Sequence, residues 1–238
     1  MSRRDEILAE MGLGPVWRLR RDDTVSPPPA VAVPTAAATV QADSASRDER
    51  ILAMDWAGLK SSVSSCTACK LRAGCRQTVF GVGDESADWM IIGEAPGADE
   101  DRLGEPFVGQ AGRLLDSMLG ALVLARTDNV YIANVLKCRP PGNRNPEPDE
   151  VGLCSPYLLR QVELVRPKLI LAMGRFAVQA LLETDASIAS LRGRLHQFRG
   201  VPLVVTYHPA YLLRSLGEKS KSWADLVFAR RAMSGESP

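Results

Sequence analysis

The chain has 238 residues, 45% of them apolar, a length and composition that suit one sizeable α/β core with an appendage. Its formal net charge of +1 is unevenly divided: residues 134–238 carry 15 Lys and Arg against 9 Asp and Glu, and residues 1–133 carry 14 against 19. A basic half in a nearly neutral chain fits a local nucleic-acid footprint, and it equally fits solvated helix faces. Charge alone therefore leaves both interpretations open.

The sequence contains no pattern typical of a membrane or secreted protein. No run of 18 apolar residues occurs, and the polar residues 1–6 are not followed by the uninterrupted apolar segment of a signal peptide. We therefore expect a cytoplasmic protein without membrane association. In that reducing compartment, the five cysteines are expected to be metal ligands or free thiols rather than disulfides.

The start of the chain divides into a short peptide and a linker. Within the N-terminal peptide, residues 1–22, positions 5–11 can form two helical turns, and a basic, partly apolar segment follows at 17–21. Residues 23–47 are rich in Pro, Ala, Val and Ser without a period, which predicts a disordered linker. The peptide is then either a tethered docking segment for a protein partner or a frayed terminus without one.

Alternating strand and helix patterns fill the predicted domain, residues 48–238, which opens with a helix at 48–63. Short apolar runs rich in β-branched residues, each followed by a turn with Gly, Pro or Asn, predict strands at 89–92, 130–135, 169–172 and 203–207. Helical periodicity occurs at 111–124, 149–165, 175–182 and 222–233. The alternation predicts a parallel sheet covered on both faces. No glycine-rich stretch matches the Walker or dinucleotide-binding templates, so a nucleotide cofactor is not expected.

Two motifs follow predicted strands that are far apart in the sequence. Residues 93–97 (Gly-Glu-Ala-Pro-Gly) follow the first strand, and residues 208–214 (His-Pro-Ala-Tyr-Leu-Leu-Arg) follow the last. Because the carboxyl ends of parallel strands share one edge of a sheet, both motifs can face a single cleft there. That cleft is the candidate active site.

The cysteine spacing indicates a metal centre. Cys66 and Cys69 are separated by two residues in a loop-like stretch, Cys138 follows the second predicted strand, and Cys154 lies within the next helix. Four thiolates can ligate a tetrahedral zinc ion or a cubane iron–sulfur cluster, and the spacing does not distinguish the two. Cys75 is then the surplus cysteine, expected to be a free thiol.

Four motifs occur together in a fixed order: residues 93–97 with Glu100, 106–112 (Pro-Phe-Val-Gly-Gln-Ala-Gly), 134–141 (Asn-Val-Leu-Lys-Cys-Arg-Pro-Pro) and 208–214. With the cysteines in register, they resemble the motifs of the family 4, iron–sulfur uracil-DNA glycosylases, over about residues 66–230. The resemblance implies a three-layer α/β/α sandwich with a four-stranded parallel sheet. It also implies hydrolysis of the N-glycosidic bond of deoxyuridine in DNA, and a [4Fe-4S] cluster on Cys66, Cys69, Cys138 and Cys154.

The resemblance implies roles for three residues that would contact uracil. His208, as a neutral imidazole, would donate a hydrogen bond to uracil O2, where negative charge develops as the base departs. The Asn134 amide would pair with the N3–H and O4 edge of uracil and mismatch cytosine, and Phe107 would stack on the extruded base. The alternatives are a strand-end histidine, a turn-capping asparagine and a core phenylalanine.

Two carboxylates and a stretch of backbone complete the expected pocket. Glu94 and Glu100 are the candidates for positioning the attacking water and for shaping the C5 side of the pocket against a thymine methyl group. Other uracil-DNA glycosylase families have an Asp or Asn at the position of Ala95, so the partner of the water is open in this chain. The backbone around Ala95 and Pro96 is expected to line the pocket.

Base flipping requires a side chain that fills the vacated space and cations that hold the bent backbone. Leu212 or Leu213 is the predicted wedge, unless both are core residues of a short helix. Arg139, Arg144 and Arg214 are the predicted phosphate contacts.

Two other functions can be tested against the same sequence features. A relative that binds uracil-DNA covalently would need a histidine after the second strand, and residues 142–147 contain none. A non-catalytic iron–sulfur module that binds DNA or associates with a polymerase would also fit the basic C-terminal half. The expected protein is thus a monomeric DNA-repair enzyme that acts on uracil-containing DNA, single- or double-stranded.

Overall fold

The structure is a computed structural model that describes residues 46–235. The predicted N-terminal peptide, residues 1–22, and nearly all of the predicted linker, 23–47, lie outside the described residues. Helix α1 (Arg47–Leu52) opens the described chain, one residue before the predicted start. Its N-terminus is capped reciprocally, because the Ser46 hydroxyl accepts from the backbone N–H of Glu49 and the Glu49 carboxylate accepts from the backbone N–H of Ser46.

A six-stranded sheet lies at the centre of the described chain, with strands β1 (Val82–Gly83), β2 (Trp89–Gly93), β3 (Val130–Asn134), β4 (Leu169–Met173), β5 (Leu195–Phe198) and β6 (Val201–Thr206). Their spatial order is β1-β3-β2-β4-β6-β5. The four inner strands are parallel, which confirms the predicted four-stranded core, and β1 and β5 extend it as antiparallel edges. Neither edge gives an apolar run in the sequence, since β1 has two residues and β5 alternates exposed and half-buried positions.

Helices cover both faces of this sheet: α2 (Trp56–Ser64), α3 (Leu71–Gly74), α4 (Ala98–Leu103), α5 (Gln110–Ala121), α6 (Pro148–Val165), α7 (Arg175–Leu182), α8 (Ile188–Leu191), α9 (Pro209–Arg214) and α10 (Lys219–Met233). The helix predicted at 48–63 is divided into α1 and α2, because Asp55 begins a new helix and its carboxylate accepts from the Gly58 N–H at 2.8 Å. No helix among residues 46–235 is both long and apolar enough to cross a membrane.

The core consists of one apolar layer on each side of the sheet. Every residue of β2, β3 and β4 is buried, as expected for parallel strands covered on both faces. Alternate side chains such as Met90 and Ile92 pack against α6 and α7, and their neighbours, such as Ile91, pack against α5 and α10. A smaller cluster joins α1 and α2 to Tyr157 of α6.

The strand register aligns the carboxyl ends of the parallel strands at one edge. Gly93, the last residue of β2, pairs with Asn134, the last residue of β3. On the other side, Met173 of β4 pairs with Thr206 of β6. The loops that follow these residues contain the sequence motifs, so the sheet gathers them at a common edge.

Candidate active site

A cavity of about 450 Å³ opens at the carboxyl edge of the parallel strands. Its volume is in the range of small-ligand pockets. Nine predicted site residues line it: Glu94, Ala95, Pro96, Glu100, Phe107, Asn134, Arg144, His208 and Arg214. Motifs separated by more than a hundred residues therefore meet at one cavity.

Asn134 supplies a buried polar atom that faces this cavity. Asn134 is the last residue of β3 and is 2% exposed. Among the described residues, Asn134 Oδ1 is the buried side-chain oxygen or nitrogen that has no hydrogen-bond partner. Because an unpaired buried acceptor is costly, it marks a position where a ligand N–H would be stabilised.

A buried lysine holds the backbone of Asn134 by a hydrogen bond. The Lys137 ammonium donates to the Asn134 carbonyl oxygen at 2.8 Å and to Gln161 Oε1 at 2.6 Å. Gln161 in turn donates to the Phe80 carbonyl oxygen at 2.9 Å. Burial lowers the pKa of Lys137 to about 8. The end of β3 is therefore held by a hydrogen-bonded network and not by packing alone.

Gly93 provides the space in which the Asn134 amide and the Phe107 ring lie. A Cβ atom at Gly93 would be 2.5 Å from Asn134 Oδ1 and 2.5 Å from Phe107 Cζ, closer than atoms pack. The two side chains thus occupy the volume that any other residue would fill. This close approach explains why β2 ends in glycine.

Phe107 and His208 stack on each other in the wall of the cavity. Their ring centroids are 5.4 Å apart and their planes are inclined by 26°. Phe107 is 4% exposed and has a φ of 55°, a left-handed conformation that is uncommon outside glycine. Both rings line the cavity near Asn134, so a planar ligand would meet aromatic surface and polar groups together.

His208 is a neutral imidazole with a defined tautomer. It caps the first turn of α9, where Nδ1 accepts from the backbone N–H of Ala210 at 3.1 Å. Burial, with a smaller contribution from the charge of Arg214, lowers the pKa of His208 to about 4. Because Nδ1 uses its lone pair as an acceptor, the proton lies on Nε2. The ring can therefore donate one hydrogen bond from Nε2 without being charged.

The two glutamates of the first motif differ in their contacts. Burial raises the pKa of Glu94 to about 7, which is close to neutral pH. Glu100 accepts from the Gly97 N–H with one oxygen, and from the Val108 and Gly109 N–H groups, at 3.0 and 3.2 Å, with the other. These bonds favour a role for Glu100 in holding the loop of Phe107 over its predicted role in positioning water.

The predicted wedge requires a correction. Leu212 is 1% exposed and packs in the core layer beside α5 and α10, so it cannot enter a DNA duplex. Successive residues of a short helix face different directions, and the next residue, Leu213, is 39% exposed. The second predicted candidate, Leu213, is therefore the accessible leucine.

The three arginines predicted to contact phosphate differ in their position at the cavity and in their hydrogen-bond partners. Arg214 is exposed on the rim of the cavity. Arg144 lines the cavity, but its guanidinium is paired with Glu150 at 2.5 and 2.9 Å. Arg139 lies outside the cavity lining and donates to Asn143 Oδ1 at 2.8 Å. Arg214 is thus the cation best placed to meet a ligand.

Sequence reasoning missed two aromatic residues that line the cavity, Phe176 and Tyr211. Phe176 lies near the start of α7, just after β4, and Arg175 stacks on its ring at 5.9 Å. Strand β4 ends at the same sheet edge as β2 and β6, so the strand-end argument applied to β4 would have found it. Tyr211 lies within the last motif but gave no separate signal.

A second, smaller cavity of about 20 Å³ is lined by four cysteines, Cys66, Cys69, Cys138 and Cys154. The backbone N–H of Lys137 donates to Cys154 Sγ at 3.3 Å, a contact that would stabilise a thiolate there. Cys75 is buried beside Cys138 but does not line this cavity. The predicted set of four thus shares one cavity.

The donor chemistry of this cavity fits an iron–sulfur cluster. Four cysteine side chains at one cavity are the donor set that a cubane cluster uses, one thiolate at each iron. Within residues 46–235, no group of three His, Cys, Asp or Glu side chains that could hold a single metal ion is found. Burial raises the pKa of Cys154 to about 11 and raises that of Cys138 as well. Such thiols become thiolates when a metal binds them.

Comparison with known proteins identifies the family. The uracil DNA glycosylase superfamily matches residues 80–228. The type-4 uracil-DNA glycosylase of Archaeoglobus fulgidus is 45% identical over 159 residues, which cover 63% of this chain and 79% of that protein. The type-4 uracil-DNA glycosylase of Pyrobaculum aerophilum is 40% identical over 182 residues, 73% of this chain and 92% of that protein. The chain therefore belongs to the uracil-DNA glycosylase superfamily and, within it, to the type-4 family, as the motifs predict.

Gly93→Ala is expected to disrupt the cavity. The added methyl group would collide with Asn134 Oδ1 and Phe107 Cζ, so at least one of these side chains must move. We expect uracil excision to fall about 100-fold, the loss that a misplacement of ~1 Å can cause. Uracil release from an oligonucleotide measures the effect. Gly120→Ala is the control, since a Cβ there meets no atom within 4 Å. Full excision by Gly93→Ala would show that the pocket does not depend on this approach.

Proposed function

We propose that this chain hydrolyses the N-glycosidic bond of deoxyuridine in DNA, releasing free uracil and leaving an abasic site. The observation that supports this best is the unpartnered Asn134 Oδ1, buried in a cavity that Phe107 and His208 also line. In a member of this family, an unpaired acceptor beside a stacking ring and a neutral donor suits the uracil edge. The type-4 relatives are named as uracil-DNA glycosylases, and the match covers 79% and 92% of the two relatives described above. This match does not favour a non-catalytic module.

His208 would stabilise the leaving group. Breaking the bond creates positive charge on the sugar and negative charge on the departing base, so a donor at uracil O2 gains strength in the transition state. The Nε2–H of His208 can supply that hydrogen bond. The pKa of His208, about 4, keeps the imidazole uncharged at neutral pH. The ring can therefore donate this hydrogen bond without first releasing a proton.

Asn134 would select uracil. In this arrangement Oδ1 accepts from uracil N3–H and the amide nitrogen donates to O4. Cytosine presents an acceptor at N3 and a donor at C4, so both contacts would be mismatched and the buried amide would stay unpaired. Phe107 would stack on the base and compensate for its lost neighbours in the strand.

Glu94 is the carboxylate we assign to the attacking water. Its pKa, about 7, is close to the pH at which a general base works best, and Glu100 is engaged with the loop of Phe107. Ala95 and Pro96 line the same cavity as Glu94. Arg214 on the rim would contact a phosphate, and the accessible Leu213 would fill the space left by the flipped base.

A [4Fe-4S] cluster on Cys66, Cys69, Cys138 and Cys154 completes the proposal. Such a cluster would supply a structural crosslink among the loop before α3, the segment after β3 and helix α6, with no chemistry on the base. The segment after β3 follows directly on Asn134, the last residue of that strand, so the crosslink would support the strand end that reads uracil. The monomeric state, the cytoplasmic location and a partner for residues 1–22 stay predictions.

His208→Ala tests the catalytic role. We expect single-turnover release of uracil from a uracil-containing oligonucleotide to fall by about 10²- to 10³-fold, the range for one preorganised donor to a developing anion. Affinity for the DNA should change only a few-fold. Arg214→Ala should instead weaken DNA binding and spare the saturated rate. A His208→Ala protein with weak binding and a normal saturated rate would assign this histidine to the structure alone.

Asn134→Asp tests the reading of uracil. A carboxylate cannot donate to O4 and places a charge against the polar edge of the base, so we expect uracil excision to fall by roughly 30- to 1000-fold. Asn145→Asp is a matched control, because Asn145 lines the same cavity but is exposed. Equal losses in the two variants would mean that added charge, and not the lost donor, is responsible.

Metal analysis tests the assignment of the cysteines. Protein purified without oxygen should contain about four irons per chain, the content of one cubane. Cys138→Ser should lose most of this iron, whereas Cys75→Ser should retain it, since Cys75 does not line the small cavity. Stoichiometric zinc, or loss of iron in Cys75→Ser, would contradict the assignment.

A further inference from the structure

The loop of Phe107 is held in an unusual conformation by an arginine that the catalytic assignment does not use. Phe107 has a φ of 55°, which a residue with a Cβ adopts only when its surroundings enforce it. Its ring stacks on that of His208, with centroids 5.4 Å apart and planes inclined by 26°. Contacts to the backbone of Phe107 therefore decide where its ring lies.

Arg126 makes the contacts on the carbonyl side of this loop. It lies between α5 and β3, where its Nη1 donates to the Pro106 carbonyl oxygen at 2.8 Å and its Nη2 to the Phe107 carbonyl oxygen at 2.5 Å. Its Nε donates to Asp116 Oδ1 of α5 at 2.9 Å, which orients the guanidinium plane. One planar fork thus fixes two consecutive peptide groups.

The opposite side of the loop is fixed independently. Glu100 accepts from the N–H groups of Val108 and Gly109, the two residues after Phe107. A Cβ at Gly112 of α5 would lie 1.6 Å from the Phe107 carbonyl oxygen, so this oxygen rests directly on the helix. The oxygen has no room to turn toward α5, and Arg126 binds it where it stands.

We infer that Arg126 is a positioning residue, which sets the orientation of the Phe107 ring and thereby its stacking on the flipped base. Arg126 does not line the cavity, so it acts through the loop and not by touching the substrate. This inference rests on the proposed function in one respect: it takes Phe107 to be the surface on which uracil stacks. A role in fold stability alone would leave that stacking unaffected.

A double-mutant cycle between Arg126 and Phe107 separates these roles. We expect Arg126→Gln to lower kcat/KM for uracil release by about 5- to 150-fold, the scale of losing one base–aromatic stack. In a Phe107→Ala background, the same change should cost less than about twofold, because the ring it orients is absent. Equal losses in both backgrounds would overturn the inference.

Arg160→Gln is the matched control. The Arg160 side chain is 21% exposed, as is that of Arg126, and it too binds a backbone carbonyl, that of Met54, and a carboxylate, Glu163. It lies on α6 and does not line the cavity. We expect Arg160→Gln to leave kcat/KM unchanged. A loss equal to that of Arg126→Gln would reduce the effect of Arg126 to general stability and overturn the inference.

A binding version of the cycle keeps this test independent of turnover. It uses the Kd for an oligonucleotide that carries 2′-fluoro-2′-deoxyuridine, whose glycosidic bond resists hydrolysis because fluorine destabilises positive charge on the sugar. If the wild-type protein releases no uracil but the Kd values still couple Arg126 to Phe107, the proposed function fails and the positioning role stands. Additive Kd changes would overturn the positioning role. Arg126→Lys repeats the cycle if Arg126→Gln does not fold, and it should restore only part of the effect because a lysine lacks the planar fork.

Discussion

The register that pairs Gly93 with Asn134 is the constraint on which the rest of the site depends. Because Gly93 has no side chain, the Asn134 amide and the edge of the Phe107 ring can share the space above the end of β2. A shift of β3 by one residue would turn Asn134 to the other face of the sheet. The apolar layers on both faces prevent such a shift, so core packing fixes the geometry of a polar pocket.

Each group at this strand end is supported by a partner outside the cavity. Lys137 holds the Asn134 carbonyl, Arg126 and Glu100 hold the loop of Phe107, and the N–H of Ala210 fixes the tautomer of His208. Such support reduces the reorganisation that the site would need as charge develops on the base. The cysteine cavity adjoins the same segment, since Lys137 also donates its backbone N–H to Cys154 Sγ. The proposed cluster site and the proposed base-recognition site thus share one stretch of backbone.

Buried apolar runs and the motifs that follow them were sufficient to predict the parallel strands and the common edge at which the motifs lie. The family resemblance added Glu100, Phe107 and Arg144 to this edge, and both approaches missed Phe176 and Tyr211. The two edge strands left no such signal, because β1 is too short and β5 is only partly buried. Within α9, the pattern could not decide between Leu212 and Leu213, since which side of a short helix faces the core depends on its neighbours. The contacts of Glu100 and Arg126 were also beyond prediction, because both side chains bind backbone groups, which have no sequence signature.

The proposed role of His208 requires a neutral imidazole that donates from Nε2, and ¹⁵N NMR of the histidine rings reports this protonation state. The chain has two histidines, and a His196→Gln variant assigns their signals. We predict that His208 shows one protonated nitrogen, Nε2, and one unprotonated nitrogen, Nδ1, from about pH 5 to pH 8, because its pKa is about 4. An imidazolium with both nitrogens protonated at pH 6, or a proton on Nδ1 at neutral pH, would contradict the account.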